Sequence, residues 1–207
     1  MVGSVPWLGM PRSNVARVVF WMSLAMVAFS TMAVSIRALA GALNIFEILT
    51  IRSATGLVVL STLLLARPAL RDGVFTQPLT LHFFRNAVHF TAQFSWAMGV
   101  VLLPLAPVFA IEFTTPAWVA LLATLVLREK LTKSRVGVLV LGFLGVLVIV
   151  RPGFAAFQPA ALLVLFAALG FSVALVTTKK LTGIASTVAI LFWMNLMQLP
   201  MALLGSR

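Results

Sequence analysis

Long apolar runs separated by short polar segments make up most of the chain. A bilayer core about 30 Å thick needs roughly 20 apolar residues in a helix, and seven runs approach or exceed that length. The pattern therefore predicts seven membrane-spanning helices, over residues 18–38, 44–66, 82–103, 108–127, 136–150, 159–178 and 184–204.

The third run carries polar side chains on one helical face. Arg85, His89, Gln93 and Trp96 follow one another at intervals of four, four and three residues. A helix places such positions in a single stripe. Polar groups within a membrane span are energetically expensive and usually functional. The stripe predicts a water-accessible pathway for a solute, and a polar seam between packed helices is the alternative.

The fourth run contains a carboxylate four residues before a proline. Pro116 has no N–H group, so the backbone carbonyl of Glu112 loses its helical partner. Broken membrane helices occur where they are buried or line a cavity, and transporters use them to bind solutes and ions. We therefore expect a helix break at Pro116, with Glu112, Thr115 and Trp118 on the solute pathway. A proline kink with a satisfied glutamate is the alternative.

The second run carries an arginine well inside the predicted membrane. Arg52 lies about 12 Å deep, at a rise of about 1.5 Å per residue. Glu47, five residues earlier, does not share its face, so each needs a partner on another helix or in water. Arg52 and Glu112 enter from the same side at similar depth, which predicts an ion pair between helices. That pair can serve the solute pathway or only hold the bundle together.

Small and amide-bearing residues predict helix contacts in the later spans. Gly170 and Ala174 form a small-xxx-small pair in the sixth span. Asn195 and Gln198 share a face of the seventh, where an interhelical hydrogen bond is expected. Close backbone contacts are also predicted at the glycines of the fifth span, Gly137, Gly142 and Gly145.

Composition indicates an integral membrane protein. Hydrophobic residues make up 62% of the chain and charged residues only 9%, whereas a soluble domain is nearer half apolar and a quarter charged. The net charge of +11 does not indicate a nucleic-acid partner, because the basic residues lie in short segments between the apolar runs. With no cysteine, two histidines and four acidic residues, the chain is expected to hold no disulfide, metal or other cofactor.

The basic residues also predict the orientation in the membrane. With seven spans, eleven Lys and Arg residues fall on the side of Arg12, three fall on the opposite side, and Arg52 lies within the membrane. Positively charged loops stay in the cytoplasm. The count predicts a multi-pass protein of the plasma (inner) membrane, with residues 1–17 as a cytoplasmic N-terminal tail.

Several of these features, taken in order, resemble the EamA-type drug/metabolite transporter family. They are Arg85, the turn at 104–107, Pro116, the segment 127–131 and the glycine-containing run 137–153. The family implies an all-α polytopic bundle of ten spans, built as two inverted five-helix repeats, that carries small organic molecules. Residues 18–151 then correspond to the first repeat, and residues 159–207 to an incomplete second repeat of two helices.

An internal repeat supports this resemblance. With an offset of 142 residues, Phe29-Ser30 aligns with Phe171-Ser172 and Arg37 aligns with Lys179. The sixth predicted helix thus resembles the first. An odd number of spans per repeat inverts the second copy in the membrane, which is a known transporter design.

The resemblance and the polar residues together predict a transporter of a small organic solute, not an enzyme, that works by alternating access. Its solute pathway would include two tryptophans able to stack on a planar or cationic solute. The predicted pathway residues are Arg52, Arg85, His89, Gln93, Trp96, Glu112, Thr115 and Trp118.

Seven spans are fewer than the ten that the resemblance implies. Alternating access needs two halves that move about one site. We therefore expect a C-terminally truncated member that does not transport as a monomer, and the alternatives are a non-transporting assembly partner or a homo-oligomer whose chains complete a cavity together. Besides the solute, the lipid bilayer and such a second copy, no partner is expected, and in particular no nucleic acid.

Overall fold

The computed structural model describes residues 12–71, 73–75, 78–127, 133–150 and 158–206. Throughout these ranges the regular secondary structure is helical, which confirms the predicted all-α fold. A short 3-10 helix, Pro68–Leu70, follows the second α-helix. The α-helices are α1 (Arg12–Leu39), α2 (Ile45–Ala66), α3 (Leu79–Leu102), α4 (Leu105–Glu112), α5 (Thr115–Leu127), α6 (Lys133–Val150), α7 (Ala160–Leu181) and α8 (Thr187–Leu203).

Four stretches within the described ranges are long and apolar enough to cross a membrane by length and composition: Val15–Leu39, Ile45–Ala66, Leu105–Val126 and Ala160–Leu181. The third of them joins α4 and α5, so these two helices form one broken span. α3 has sufficient length, at 24 residues, but carries the polar stripe. α8 is apolar and shorter, at 17 residues. The result is a multi-pass bundle of apolar helices around one polar helix.

A local cap, and not a contact with another helix, satisfies Glu47. The backbone N–H of Asn44 donates to Glu47 Oε2 at 2.7 Å, and the N–H of Glu47 donates to Asn44 Oδ1 at 2.9 Å. This reciprocal pair is a capping box, which satisfies two N–H groups at the start of α2. The cap lies at the exposed start of α2, so the predicted partner on another helix is not needed there.

α3 lies at the centre of the bundle and packs along much of its length on α7. At Gly170, the two helices approach so closely that an added Cβ would lie 2.8 Å from the Cβ of Ala92. Gly99 of α3 lies against the side chain of Val164 in the same way. Since only a missing side chain permits this approach, the close contact predicted at Gly170 is confirmed.

The contacts at the glycines of α6 differ from the close backbone contacts that were predicted. A Cβ added at Gly142 would lie 3.6 Å from the Cβ of Ala117, which is ordinary contact. At Gly137 and Gly145 no atom of the described residues lies within 4 Å of such a Cβ. Close backbone contact is therefore wrong for Gly137 and Gly145, because composition alone does not show which way a helix face turns.

Arg37 attaches the C-terminal end of α1 to the C-terminal end of α3. Its guanidinium donates from Nε to the carbonyl of Val100 at 3.1 Å and from Nη2 to the same oxygen at 2.6 Å. A further hydrogen bond from Nη2 reaches the carbonyl of Leu103. The last carbonyls of a helix have no intrahelical partners, so one cation satisfies them and positions α1 beside the cavity described next.

Candidate functional site

A cavity of about 310 Å³ lies between α1, α2, α3, α7 and the junction of α4 with α5. Five further residues complete its wall: Phe29, Met32, Phe171, Ala174 and Leu175. Seven of the eight pathway residues predicted from the sequence line it: Arg52, Arg85, His89, Gln93, Trp96, Glu112 and Thr115. The fold thus brings polar groups from four separate segments of the chain to one place.

Trp118 is the predicted residue that does not line this cavity. It lies one turn beyond Thr115 on α5 and is half-buried. α5 contributes Thr115, its first residue, to the cavity wall. Of the two tryptophans expected to stack on a solute, only Trp96 faces the cavity.

The helix break itself lies at Phe113 and Thr114, between the end of α4 and the start of α5. Thr114 Oγ1 donates to the carbonyl of Ile111 at 2.6 Å, and the N–H of Thr114 donates to the same carbonyl at 3.0 Å. Ser172 of α7 donates to the carbonyl of Thr115 at 3.2 Å. None of the backbone hydrogen bonds across the break, in the described residues, uses the carbonyl of Glu112. The break therefore leaves the carbonyl of Glu112 outside these backbone hydrogen bonds, and Glu112 itself lines the cavity.

Arg85 is held by neighbouring side chains. It is only 8% exposed. Its Nε donates to Thr178 Oγ1 of α7 at 3.1 Å, and its Nη1 donates to Asn86 Oδ1 at 2.9 Å. Asn86 in turn donates to the carbonyl of Trp193 in α8 at 3.2 Å. Arg85 therefore joins α3 to α7 and, through Asn86, to α8, in addition to lining the cavity.

His89 is oriented by a glutamine of α8. Gln198 Nε2 lies 2.9 Å from His89 Nδ1 and 3.4 Å from the carbonyl of Asn86. Because a carbonyl only accepts, the Gln198 atom between these partners is the amide nitrogen, and Nδ1 of His89 accepts its second hydrogen. The imidazole proton then lies on Nε2. The predicted interhelical hydrogen bond is confirmed for Gln198, whereas Asn195 donates to the carbonyl of Leu191 in its own helix.

Three buried polar atoms of the cavity residues have no hydrogen-bond partner within the described ranges: Gln93 Oε1, Trp96 Nε1 and Glu112 Oε2. Trp96 is fully buried, and Gln93 is 4% exposed. The other oxygen of Glu112 accepts only a long hydrogen bond, of 3.5 Å, from Thr115 Oγ1. Leaving a buried polar group unsatisfied costs about 1–3 kcal/mol, so these atoms favour a bound molecule that satisfies them.

Arg52 and Glu112 share the cavity wall without contacting each other. No hydrogen bond or ion pair joins the two among the described residues. Arg52 is half-buried on α2, and Glu112 ends α4. The sequence placed them at similar depth, but the distance across the cavity depends on how the helices pack. The ion pair between Arg52 and Glu112 therefore stays a prediction, and the two side chains do not form it in this conformation.

Aromatic rings form one side of the cavity. The rings of Phe29 and Trp96 lie 4.9 Å apart between centroids, tilted by 37°. The ring of Phe171 lies 5.5 Å from the imidazole of His89. Phe29 and Phe171 are related by the 142-residue repeat. The site thus combines aromatic faces with opposite charges.

Two clefts of about 490 Å³ each lie on either side of α1. The cleft between α1 and α4 reaches Phe29 and Glu112. The cleft between α1 and α2 reaches Met32 and Arg52. These four residues also line the cavity, so both clefts adjoin it, one on each side of α1.

Sequence reasoning missed several polar residues around the site. Asn86 lies next to Arg85, and its side chain links α3 to α8. His82 extends the α3 stripe by one turn and is fully buried. In the part of the chain that the structure describes, neither of its ring nitrogens has a hydrogen-bond partner. The spacing of seven residues between His82 and His89 is a signal that could have identified it. Within the described residues, no three His, Asp or Glu side chains are placed to hold a metal ion.

The relatives found by comparison with known proteins are named as transporters. The chain is 26% identical over 173 residues to an S-adenosylmethionine uptake transporter of Rickettsia prowazekii, an alignment that covers 84% of this chain and 58% of that protein. It is 32% identical over 142 residues to a riboflavin transporter of Brucella anthropi, covering 67% of this chain and 50% of that protein. The chain therefore spans about half the length of the curated relatives it matches.

No solved structure gives a significant match. The model of the EamA-like transporter family matches residues 16–151. That range includes α1 to α6 and every cavity residue named above except Phe171, Ala174 and Leu175. On this match, which covers most of the chain, the protein belongs to the EamA-like transporter family.

Proposed function

We propose that this chain forms a carrier of a small organic solute in the inner membrane, working by alternating access. The observation that carries the proposal is the cavity, where Arg52 faces the same space as Gln93 and Glu112, each of which has a buried oxygen without a hydrogen-bond partner among the described residues. Its volume of about 310 Å³ lies at the lower end of the range for small-molecule sites. Its relatives are named as transporters, which supports a carrier and not an enzyme.

Pairs of repeat-related residues support alternating access. Phe29 and Phe171 both line the cavity, and so do Met32 and Ala174, with the same offset of 142 residues. Corresponding positions of α1 and α7 therefore face one site from two sides. We assign residues 18–151 to a first five-helix repeat and α7 with α8 to the start of a second. Such repeats move about a shared site in secondary transporters.

Flux through the reconstituted chain tests the proposal. The named solutes of the relatives, S-adenosylmethionine and riboflavin, are the first probes. Purified chain in liposomes should give saturable uptake of a small metabolite, and Glu112→Gln should lower it at least about tenfold, because it removes the charge beside the helix break. Glu47→Gln, which changes the same charge outside the cavity, is the control and should retain most of the uptake.

Membrane abundance is measured alongside uptake. Abundance of Glu112→Gln near that of the unaltered chain, with lost uptake, supports a role on the solute pathway. Lost abundance would instead assign Glu112 to holding the bundle together, and unchanged uptake in Glu112→Gln would contradict the proposal.

A second candidate is an assembly of two chains that complete the site together. The clefts beside α1 favour it, since they leave Arg52 and Glu112 reachable from the side. The oligomeric mass of the chain in a mild detergent, followed by flux measurement of each species, distinguishes the candidates. Uptake confined to a dimer supports assembly, and saturable uptake by a monomer rules it out.

A further inference from the structure

The cavity holds two opposite charges that do not neutralise each other. Arg52 on α2 has no carboxylate or other hydrogen-bond acceptor among the described residues. Glu112 at the end of α4 has no donor for Oε2. Arg85 differs from Arg52, because Thr178 and Asn86 already accept its hydrogen bonds. The unsatisfied cation of the wall is thus Arg52, and the unsatisfied anion is Glu112.

The polar atoms without partners divide by chemistry. Near Arg52 the protein offers donors from a guanidinium, which recognises a carboxylate or another oxyanion. Gln93 Oε1 and Glu112 Oε2 are both acceptors, so together they require a ligand with N–H or O–H donors. An uncharged ligand leaves Arg52 without an acceptor and Glu112 Oε2 without a donor, and an unsatisfied buried acceptor costs about 1–3 kcal/mol. A ligand with a single charge satisfies only one of the two.

The aromatic side chains favour a positive group at the Glu112 side. Phe29 and Trp96 stack 4.9 Å apart, and Phe29 lines both this cavity and the cleft that reaches Glu112. A cation near aromatic faces is attracted by their ring electrons. The volume is about ten times that of a water molecule in the liquid, which is room for one solute of the size of an aromatic amino acid.

We propose that the cavity selects zwitterionic solutes, with the anionic group on Arg52 and the cationic N–H group on Glu112 and Gln93. The proposal rests on the proposed function, since it names the class of solute carried at that same site. It identifies neither the solute nor its remaining side chain.

Binding to a set of four probes on one scaffold tests the proposal. L-phenylalanine is the zwitterion, L-phenylalanine amide the cation, 3-phenylpropionate the anion and 3-phenylpropanamide the neutral member. A second set on the indole scaffold starts from L-tryptophan. Affinity for the purified full chain is measured by the shift of its thermal unfolding midpoint with probe concentration, since a ligand that binds the folded state stabilises it. We expect the zwitterion of at least one set to bind at least about tenfold more tightly than its three relatives, which corresponds to about 1.4 kcal/mol.

Two variants test the two charged ends of the site separately. Arg52→Gln should remove the advantage of the zwitterion over the cationic amide, and Glu112→Gln should remove its advantage over the anion. Arg67→Gln, at the exposed end of α2, makes the same charge change outside the cavity and should leave the ranking unchanged. If one cavity variant does not fold, the other still tests its own half of the site.

Other results would count against the zwitterion site or against the carrier. The proposal would be refuted if, in both sets, a neutral or singly charged probe bound as tightly as the zwitterion. It would also be refuted if neither zwitterion bound. Uptake of neutral metabolites without any preference for zwitterions would retain the proposed function and refute the zwitterion site. Tight zwitterion binding without flux in liposomes would support the site and count against the carrier.

Discussion

α1 and α7 have related sequences but very different surroundings. The 142-residue offset aligns Phe29-Ser30 of α1 with Phe171-Ser172 of α7. In the most apolar window of each helix, only 11% of the positions are buried in α1, against 44% in α7. α7 packs on α3, α4 and α5, whereas α1 touches mainly α3 and α2. The greater burial of α7 therefore reflects the helices that pack against it.

The difference explains how each helix is held. In α7, Gly170 permits a close approach to α3, and Ser172 contacts the start of α5. In α1, the exposed apolar side chains include Val18, Phe20 and Trp21, and polar attachment comes from Arg37 at one end. Apolar side chains gain little from leaving lipid for another helix, so close packing and hydrogen bonds decide helix association in a membrane. α7 has both along its length, and α1 has its hydrogen bonds at its end.

The prediction with the largest expected effect is that α1 and α7 cross the membrane in opposite directions. The repeat-related glycines Gly41 and Gly183 follow α1 and α7, and neither has left-handed backbone. Because the chain has no cysteine, Gly41→Cys and Gly183→Cys each introduce a single label site. In intact cells an impermeant thiol reagent should label the first and not the second, because basic loops stay in the cytoplasm. Labelling of both, or only of Gly183→Cys, would refute the N-terminus-inside orientation.

A second prediction compares Gly170 with its repeat counterpart, Ala28. Gly170→Leu forces a side chain into the contact with Ala92 and should lower the free energy of unfolding by about 3 kcal/mol, at the upper end for overpacking. Ala28 is exposed and lines the cleft between α1 and α2, so Ala28→Leu should leave it nearly unchanged. Thermal unfolding in detergent measures both variants. Equal effects would show that α1 is as tightly packed as α7.

A third prediction concerns the attachment of α1. Arg37→Gln removes the cation that binds the carbonyls of Val100 and Leu103, which should cost about 2 kcal/mol, as expected for hydrogen bonds to a charged group. Its repeat counterpart Lys179 is exposed, so Lys179→Gln should cost less. Hydrogen exchange of α1 amides should also become faster in Arg37→Gln. Unchanged exchange would mean that α1 is held by other contacts.

The smallest expected effect is at the aligned serines. Ser172→Ala removes a hydroxyl that donates to the carbonyls of Ala168 and Thr115, at a cost of about 1 kcal/mol. Ser30 is exposed, so Ser30→Ala should change stability by much less. The two unfolding midpoints, measured in the same detergent, give the comparison. A larger effect at Ser30 would place α1 against a partner that the structure does not describe.

Most of the fold could be predicted from the sequence, and part of the site could. The apolar runs identified the membrane helices, because span length follows from bilayer thickness. The α3 stripe placed Arg85, His89 and Gln93 on one face, and all three line the cavity. The orientation of Trp118 and the lack of a contact between Arg52 and Glu112 could not be predicted, because both depend on the direction of α5 after the break and on the packing of α2.

Sequence alone determined the features that belong to a single helix. These are the apolar lengths, the stripe on α3 and the position of Glu112 four residues before Pro116, since the helical repeat converts spacing directly into direction. Only the tertiary structure decided that Gln198 orients His89, and that α7 is packed while α1 is largely exposed. Contacts between helices depend on the rotation and depth of each helix, which all the neighbours set together, and no single stretch of sequence carries that information.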